Sequence, residues 1–394
     1  MHKNKLRRRE NYSFVAVTGE KIMNQSRLMF TLITGVLVVI GCSQPMQRGA
    51  APQGVAGGPK YVVDPFWPKP LKDNWIVGQI AGLHVDTRDH VWILHRPNSL
   101  LADEKAAKPD QASTRCCIAA PAVIEFDPEG NFVRGWGGPG PGYDWPKNEH
   151  GLYVDPEGYV WVAGNNAADN MILKFTREGK FLMQIGKPGK SDGSASTTQL
   201  GRPANMEVDV AANELYVADG YGNKRILVLD AKTGAYKRHW GAYGGTPNDD
   251  KMPAYSPSAP PSKQFANAVH CVRLSKDGLV YVCDRGNNRV QVFRKNGTFV
   301  TEFIGVQLPA TDTADLVFSP DPAQRYIILA DGQSSTIRIL SRSDGKHLGS
   351  FAQHGRQAGL FRSLHNLGTD SKGNLYTGEA GFGRRVQKFT LVAN

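Results

Sequence analysis

The sequence predicts an all-β protein folded as a six-bladed β-propeller. A segment of the form apolar strand, Asp or Ser, short turn, apolar strand occurs six times along the chain. Turn pairs such as EG, TG, NG and DG then join further alternating strands, which is typical of β-hairpins. The 394-residue chain contains 43 Gly and 24 Pro and shows no long helical pattern, as expected for short strands connected by many turns.

The six repeats align on one polar residue at the first turn: Asp86, Asp155, Asp209, Ser275, Ser319 and Asp370. Neighbouring repeats are roughly 45 to 70 residues apart, which is the range of propeller blades. A strand near Tyr61 to Val63 is expected to pair with the last blade, because closing the ring removes exposed sheet edges. The propeller is therefore predicted to span residues 61–394, with one long insertion, Pro97 to Pro121, forming a loop over one face.

The N-terminus is predicted to be an export signal covering residues 1–41. Leu28 to Ile40 is apolar but too short to span a bilayer, and Arg27 precedes it, as in signal peptides. The letters VVIGC resemble a bacterial lipobox, in which Cys42 would be lipidated. An ordinary signal peptide with an incidental cysteine is the alternative.

We expect translation to begin at Met23, in which case residues 1–22 would not be part of the protein. Residues 42–60 are predicted to be the lipidated cysteine and a flexible tether, because few large apolar side chains occur there. The expected location is the cell envelope, with membrane attachment through the lipid.

The net charge and the cysteines further restrict the possible functions. Residues 1–41 carry seven Lys or Arg and two Glu, so their removal lowers the net charge from +11 to +6. The remaining chain lacks a basic cluster with interleaved aromatics, so no nucleic-acid partner is expected. Cys271 and Cys283 lie symmetrically about one turn and could form a disulfide, but with Cys116 and Cys117 three pairings remain open.

A column of histidines is the main functional signal. Five residues before each aligned turn position, the six repeats read Ala81, His150, Ala204, His270, Ala314 and His365. The first strand of a blade runs along the central channel, so histidines from alternate blades would stand about 120° apart and point at the axis. Three converging imidazoles with an open fourth position are typical of a catalytic zinc site. A histidine near a channel is more often only hydrogen-bonded, but three in register favour a metal.

Several segments resemble known families. The repeats are similar to the NHL repeat, and five segments resemble peptidyl-α-hydroxyglycine α-amidating lyase. These segments are VWILHR, HGLYVDPEGYVWV, ELYVADGYGNKRI, AVHCVRLSKDGLVYVCDRGNNRVQVF and LHNLGTDSKGNLYTGEAGFGRRVQKFT. The resemblance implies a six-bladed propeller with zinc held by three histidines and a structural calcium ion.

The resemblance also implies roles for individual residues. It places zinc on His150, His270 and His365, and a catalytic tyrosine on Tyr221. Arg96 and Arg285 would bind the substrate, with Arg96 also in the catalytic set. The calcium ligands would be the carbonyls of Leu83 and Leu152 and the side chain of Asn366. Asn366 replaces the family's aspartate, and Pro97-Asn98 replaces its Gly-Asp-His, so the calcium site and one side of the pocket are expected to differ.

The implied function is zinc-dependent cleavage of an α-hydroxyglycine carbinolamide into an amide and glyoxylate, with a small-molecule or peptide substrate that carries a carboxylate. Two alternatives remain at this point. The first is a non-catalytic, lipid-anchored propeller that serves as a binding scaffold. The second is a calcium-dependent lactonase-like hydrolase, whose axial site would be built from Glu, Asp and Asn, whereas the axial column here consists of His and Ala.

Overall fold

The computed structural model describes residues 53–55, 58–105, 117–305 and 310–392, and it confirms the predicted six-bladed all-β propeller. Among these residues, six antiparallel sheets of four or five strands are arranged in sequence order. The first strands of successive sheets contact one another, and the first strand of the last sheet contacts that of the first sheet. The ring is therefore closed around a central channel.

The elements before and within blade 1 are as follows. The N-terminal strands are β1 (Gln53–Gly54), β2 (Lys60–Asp64) and β3 (Trp75–Ile76). Blade 1 begins with β4 (Gln79–Val85) and β5 (Val91–Arg96), continues through a 3₁₀ turn (Pro97–Ser99), α1 (Ala102–Lys105) and β6 (Ile118–Ala119), and ends with β7 (Val123–Phe126) and β8 (Phe132–Trp136).

The other blades follow the same plan, with their first strand at the channel. Blade 2 contains β9 (Glu149–Val154), β10 (Val160–Gly164), β11 (Met171–Phe175) and β12 (Phe181–Gly186). Blade 3 contains β13 (Asn205–Asp209), β14 (Glu214–Asp219), β15 (Arg225–Asp230) and β16 (Tyr236–Trp240), followed by a 3₁₀ turn (Ala242–Gly244).

Blade 4 contains β17 (Val269–Leu274), β18 (Leu279–Asp284), a 3₁₀ turn (Arg285–Asn287), β19 (Arg289–Arg294) and β20 (Phe299–Ile304). Blade 5 contains β21 (Asp315–Phe318), β22 (Tyr326–Asp331), β23 (Thr336–Ser341) and β24 (His347–Phe351). Blade 6 contains β25 (Leu364–Thr369), β26 (Leu375–Glu379) and β27 (Val386–Val392).

Ring closure joins the two ends of the propeller. Strand β2 pairs antiparallel with β27, so that Tyr61 lies opposite Leu391 and Val63 lies opposite Phe389, as the sequence predicted. The predicted tether boundary at residue 60 is too late, because β1 already pairs with β2 and Val55 is buried in the core between blades 5 and 6. Burial of this apolar side chain stabilises the pairing of β1 with β2.

The aligned turn residues have a structural role. Asp155 Oδ2 accepts a hydrogen bond from the fully buried Trp161 indole at 2.9 Å, and its other oxygen accepts the backbone N–H groups of Glu157 and Tyr159. Asp86 binds the Trp92 indole in the same way. At these two positions an acidic residue therefore accepts hydrogen bonds from both the turn and a core aromatic side chain.

A disulfide joins the first two strands of blade 4. Cys271 and Cys283 lie directly opposite each other in the β17–β18 register, and their sulfurs are 2.06 Å apart. Both are completely buried. The bond joins the strand that carries His270 to the strand that precedes Arg285.

The predicted signal peptide and the lipidation site at Cys42 lie outside the described residues, as does Cys116. Within the described part of the chain, no helix has the length and apolar character required to cross a bilayer. Residues 97–121 start with the 3₁₀ turn and α1, and β6 at their end pairs in parallel with β3.

A second ring of polar side chains lines the channel three residues after the histidine column. It comprises His84, Tyr153, Glu207 and Arg273. Arg273 donates to Asp315 Oδ1 at 2.7 Å and to Asn205 Oδ1 at 2.6 Å. Burial raises the pKa of Glu207 to about 7, although Arg273 and the Leu274 N–H partly oppose the rise.

Substitution of Glu207 by glutamine is expected to stabilise the protein at pH 8 but not at pH 5. The folded-state pKa of Glu207 lies above the unfolded value of about 4.3, so the protonated carboxyl contributes fully to stability below pH 4.3. This contribution is lost as the pH rises through about 7, because the folded protein must then hold a buried carboxylate. The gain at pH 8 should be on the order of 2 kcal/mol, and glutamine retains an oxygen for the Leu274 N–H. Urea unfolding of both proteins at pH 5 and pH 8 measures the difference in their free energies of unfolding. An equal difference at the two pH values contradicts the prediction.

Candidate active site

Three buried histidines meet at the channel axis. His150, His270 and His365 are 2 %, 2 % and 7 % exposed, and one ligand nitrogen from each lies within 4.8 Å of the others. Their ring centroids are 5.0, 4.9 and 4.9 Å apart, an almost equilateral triangle. The structure thus brings together the trio that the repeat register predicted.

A β-bulge at the start of the first strand directs each histidine to the axis. In blade 4, Val269 pairs with Asp284 but Cys271 pairs with Cys283, so His270 is the extra residue. The same one-residue shift occurs around His150 in β9 and around His365 in β25. A bulge changes the direction of a side chain relative to regular alternation, so the imidazoles face the channel.

The alanines of the column supply backbone acceptors. His150 Nδ1 lies 2.8 Å from the Ala204 carbonyl, and His270 Nδ1 lies 2.5 Å from the Ala314 carbonyl. His365 bonds the Ala81 carbonyl, and its Nδ1 lies 2.9 Å from Asn366 Oδ1. With Nδ1–H donated to an oxygen, Nε2 keeps its lone pair for a metal, which is the usual outer support of a ligating histidine.

The charge state of the trio suits metal binding. Burial lowers the pKa of all three imidazoles, to about 3 for His365, and the nearby guanidinium groups lower it further. The rings are therefore neutral at pH 7 and need not lose a proton to ligate. Three neutral, oriented imidazoles fit a zinc ion that would keep a further coordination position for a substrate.

Tyr221 contacts two of the three histidines. Its hydroxyl is 2.9 Å from His150 Nε2 and 3.1 Å from His270 Nε2. The flanking glycines allow the loop to reach this position, because a Cβ at Gly220 would lie 2.0 Å from the Val269 carbonyl oxygen and one at Gly222 would lie 2.7 Å from the Gly201 carbonyl oxygen. The phenol is therefore held at the mouth of the channel, against the candidate metal ligands.

The two predicted arginines flank the tyrosine. Arg285 hydrogen-bonds the Tyr221 hydroxyl and donates from Nε to Asp312 Oδ2 at 2.6 Å. Burial acts to lower its pKa, but Asp312 and Tyr221 outweigh this and raise the net pKa. Burial lowers the pKa of Arg96, with partial compensation from Tyr221 and Glu149. Both guanidinium groups thus lie in the electrostatic field of the same phenol.

Two side chains that hold these arginines, Gln79 and Asp312, were not predicted from the sequence. Arg96 donates from Nη1 to Gln79 Oε1 at 2.8 Å and from Nε to the Glu149 carbonyl at 2.8 Å. Asp312, which is 4 % exposed, binds Arg285. No motif contains Gln79 or Asp312, but both stand two residues before an alanine of the axial column, a register that could have revealed them.

The three predicted calcium ligands come from neighbouring first strands. Leu83 lies on β4, Leu152 on β9 and Asn366 on β25, and β4 contacts both of the other strands. The two leucine side chains are buried between blades, which leaves only their carbonyls for an ion. Asn366 Oδ1 already accepts from His365 Nδ1. Calcium binding remains a prediction.

Comparison with known proteins agrees with this architecture. The NHL repeat profile matches residues 267–293, the segment with His270 and Arg285. A solved structure of a Bacteroides thetaiotaomicron protein of unknown function has a TM-score of 0.52 at 13 % identity, over 80 % of this chain and 70 % of that one. At this identity the likeness concerns the fold alone.

Two sequence relatives carry different names. Peptidyl-alpha-hydroxyglycine alpha-amidating lyase 1 of Drosophila melanogaster is 26 % identical over 352 residues, covering 84 % of this chain and 59 % of the relative. NHL repeat-containing protein 3 of Mus musculus is 27 % identical over 283 residues, covering 68 % and 72 %. The chain is thus a six-bladed β-propeller with an NHL repeat, related in sequence to proteins named as peptidyl-α-hydroxyglycine α-amidating lyases.

Proposed function

We propose that this protein is a zinc-dependent carbon–nitrogen lyase that cleaves α-hydroxyglycine carbinolamides into an amide and glyoxylate. The observation that carries the proposal is the convergence of His150, His270 and His365, with the Tyr221 hydroxyl against the first two. The sequence relationship to proteins named as amidating lyases supports the same reaction class. A propeller that served only as a scaffold would not require three oriented, neutral imidazoles at its axis.

Zinc bound by the three Nε2 atoms would act as a Lewis acid towards the substrate hydroxyl. The chain's own groups would do the rest. Tyr221, whose hydroxyl contacts the Nε2 atoms of His150 and His270, would act in its phenolate form as the general base that takes the proton of the substrate hydroxyl. Arg285, which bonds that oxygen, would stabilise the negative charge that the phenolate carries before it accepts the proton.

The bond changes balance without a co-reactant. Removal of the hydroxyl proton forms the C=O bond of glyoxylate while the C–N bond breaks, and the electron pair of that bond goes to nitrogen. The nitrogen receives the proton that Tyr221 accepted, which gives the amide. Each turnover therefore returns Tyr221 to its starting state.

The substrate carboxylate would lie between the two guanidinium groups. Arg96 and Arg285 approach Tyr221 from different blades, and a planar guanidinium suits two-pronged binding of a carboxylate. Each retains N–H groups beyond those donated to Gln79, Glu149 and Asp312. Of the two products, only glyoxylate keeps this carboxylate.

The test is release of glyoxylate from N-benzoyl-α-hydroxyglycine by the purified protein. We expect turnover with zinc bound, loss of turnover after chelation, and recovery when zinc is restored. Circular dichroism before and after chelation checks that the propeller stays folded. Well-folded, zinc-loaded protein that releases no glyoxylate would sink the proposal and favour the scaffold interpretation.

A further inference from the structure

A third register of the repeat surrounds the mouth of the site. Two residues before the axial column, the six blades carry Gln79, Asn148, Arg202, Ala268, Asp312 and Ser363. In blades 1, 3 and 5, which carry alanine in the axial column, this position holds a side chain that contacts a proposed substrate-binding or catalytic group. We refer to Gln79, Arg202 and Asp312 as the outer ring.

The contact of Asp312 with Arg285 is the strongest of the three. Its Oδ2 accepts Arg285 Nε at 2.6 Å, and its Oδ1 accepts the Gly332 N–H at 2.7 Å and the Gln333 N–H at 3.3 Å. The carboxylate is therefore fixed by the backbone of blade 5 and cannot follow a movement of the arginine. An anchored, 4 % exposed carboxylate determines where the guanidinium of Arg285 lies.

Gln79 holds Arg96 in a similar way. Gln79 Oε1 accepts Arg96 Nη1 at 2.8 Å, and the Gln79 N–H donates to Ser99 Oγ, also at 2.8 Å. Ser99 Oγ in turn donates to the Arg96 carbonyl at 2.7 Å. The side chain of Gln79 thus holds the guanidinium of Arg96, and its backbone N–H is connected to the Arg96 carbonyl through Ser99.

Arg202 supports the loop that carries Tyr221. Its Nε donates to the Asn165 carbonyl at 2.9 Å, and its guanidinium lies 5.8 Å from the centre of the Tyr221 ring. Nη1 also lies 3.4 Å from the Tyr221 carbonyl oxygen. Arg202 therefore connects blade 2 to the face of the phenol and to the backbone of its loop.

We propose that the outer ring is a set of positioning residues, one from each alanine-bearing blade, which orients Arg96, Tyr221 and Arg285 above the histidines contributed by the other three blades. This inference rests on the proposed lyase function. None of the three needs to touch the reacting atoms. Alternate blades thus have different roles. Blades 2, 4 and 6 provide the metal ligands, and blades 1, 3 and 5 provide the side chains that orient the groups around the substrate.

The test is Asp312→Asn in the full chain, assayed with N-benzoyl-α-hydroxyglycine. The amide keeps an oxygen for the backbone N–H groups but loses the charge that holds Arg285. We expect kcat/KM to fall by up to about 100-fold, mainly through a higher KM, with zinc content unchanged. Asp277→Asn, which removes a carboxylate bound to Arg342 at the turn of blade 4, is the matched control and should leave both constants unchanged.

A double-mutant cycle separates positioning from a general structural effect. If Asp312 acts through Arg285, Asp312→Asn should cost little further kcat/KM in an Arg285→Gln background. Additive losses in the cycle, or wild-type kinetics for Asp312→Asn, would overturn the proposal.

If Asp312→Asn does not fold, Gln79→Ala and Arg202→Gln provide the test. The first should raise KM and the second should lower kcat. Wild-type kinetics for both variants would overturn the proposal. An inactive wild type would instead contradict the lyase function itself.

Discussion

Replacement of Tyr221 by phenylalanine is expected to lower kcat for glyoxylate release by about 10²- to 10⁴-fold. The substitution removes one oxygen, which lies 2.9 and 3.1 Å from the Nε2 atoms of His150 and His270. It leaves the ring, and hence the contact with Arg202, in place. Loss of the general base should slow the chemical step, whereas carboxylate binding through the arginines, and so KM, should change little.

Zinc content and melting temperature of the Tyr221→Phe variant should equal those of the wild type, because the three imidazoles keep their backbone partners. Tyr236→Phe, at an exposed tyrosine of the same blade, is the matched control and should retain full activity. A Tyr221→Phe variant with wild-type kcat would show that another group accepts the proton.

Substitution of His270 by alanine is expected to abolish stoichiometric zinc binding and glyoxylate release together. Two imidazoles cannot complete a site that needs three protein ligands. We expect zinc affinity to fall by more than about 100-fold, because even removal of an outer hydrogen-bond partner costs about 10- to 100-fold. Zinc per chain, measured by elemental analysis after dialysis, reports the effect, and His150→Ala and His365→Ala should behave alike.

The matched control is His84→Gln. His84 also faces the channel from a first strand, but it belongs to the second ring, three residues after the axial column. This variant should keep one zinc ion per chain. If His84→Gln lost zinc while His270→Ala kept it, the metal would lie elsewhere in the channel.

The repeat register alone was enough to predict the fold and the histidine trio. The aligned turn residues, such as Asp155, mark the same place in every blade because each binds a turn and, in several blades, a core aromatic. Counting back from them therefore reaches equivalent positions around the ring. Because first strands line the axis of a closed propeller, His150, His270 and His365 had to meet, although no two of them are close in sequence.

Contacts between blades could be seen only in the tertiary structure. Within blade 4, the pairing of β17 with β18 also contains a one-residue bulge at His270, which the alternation of residues along the strand does not predict. The link between Asp312 and Arg285 joins blades 5 and 4 through side chains 27 residues apart. Hydrophobic and turn patterns predict the hairpins within each blade. Hydrogen bonds between side chains of different blades form only when the blades pack together, and no local pattern in the sequence encodes that packing.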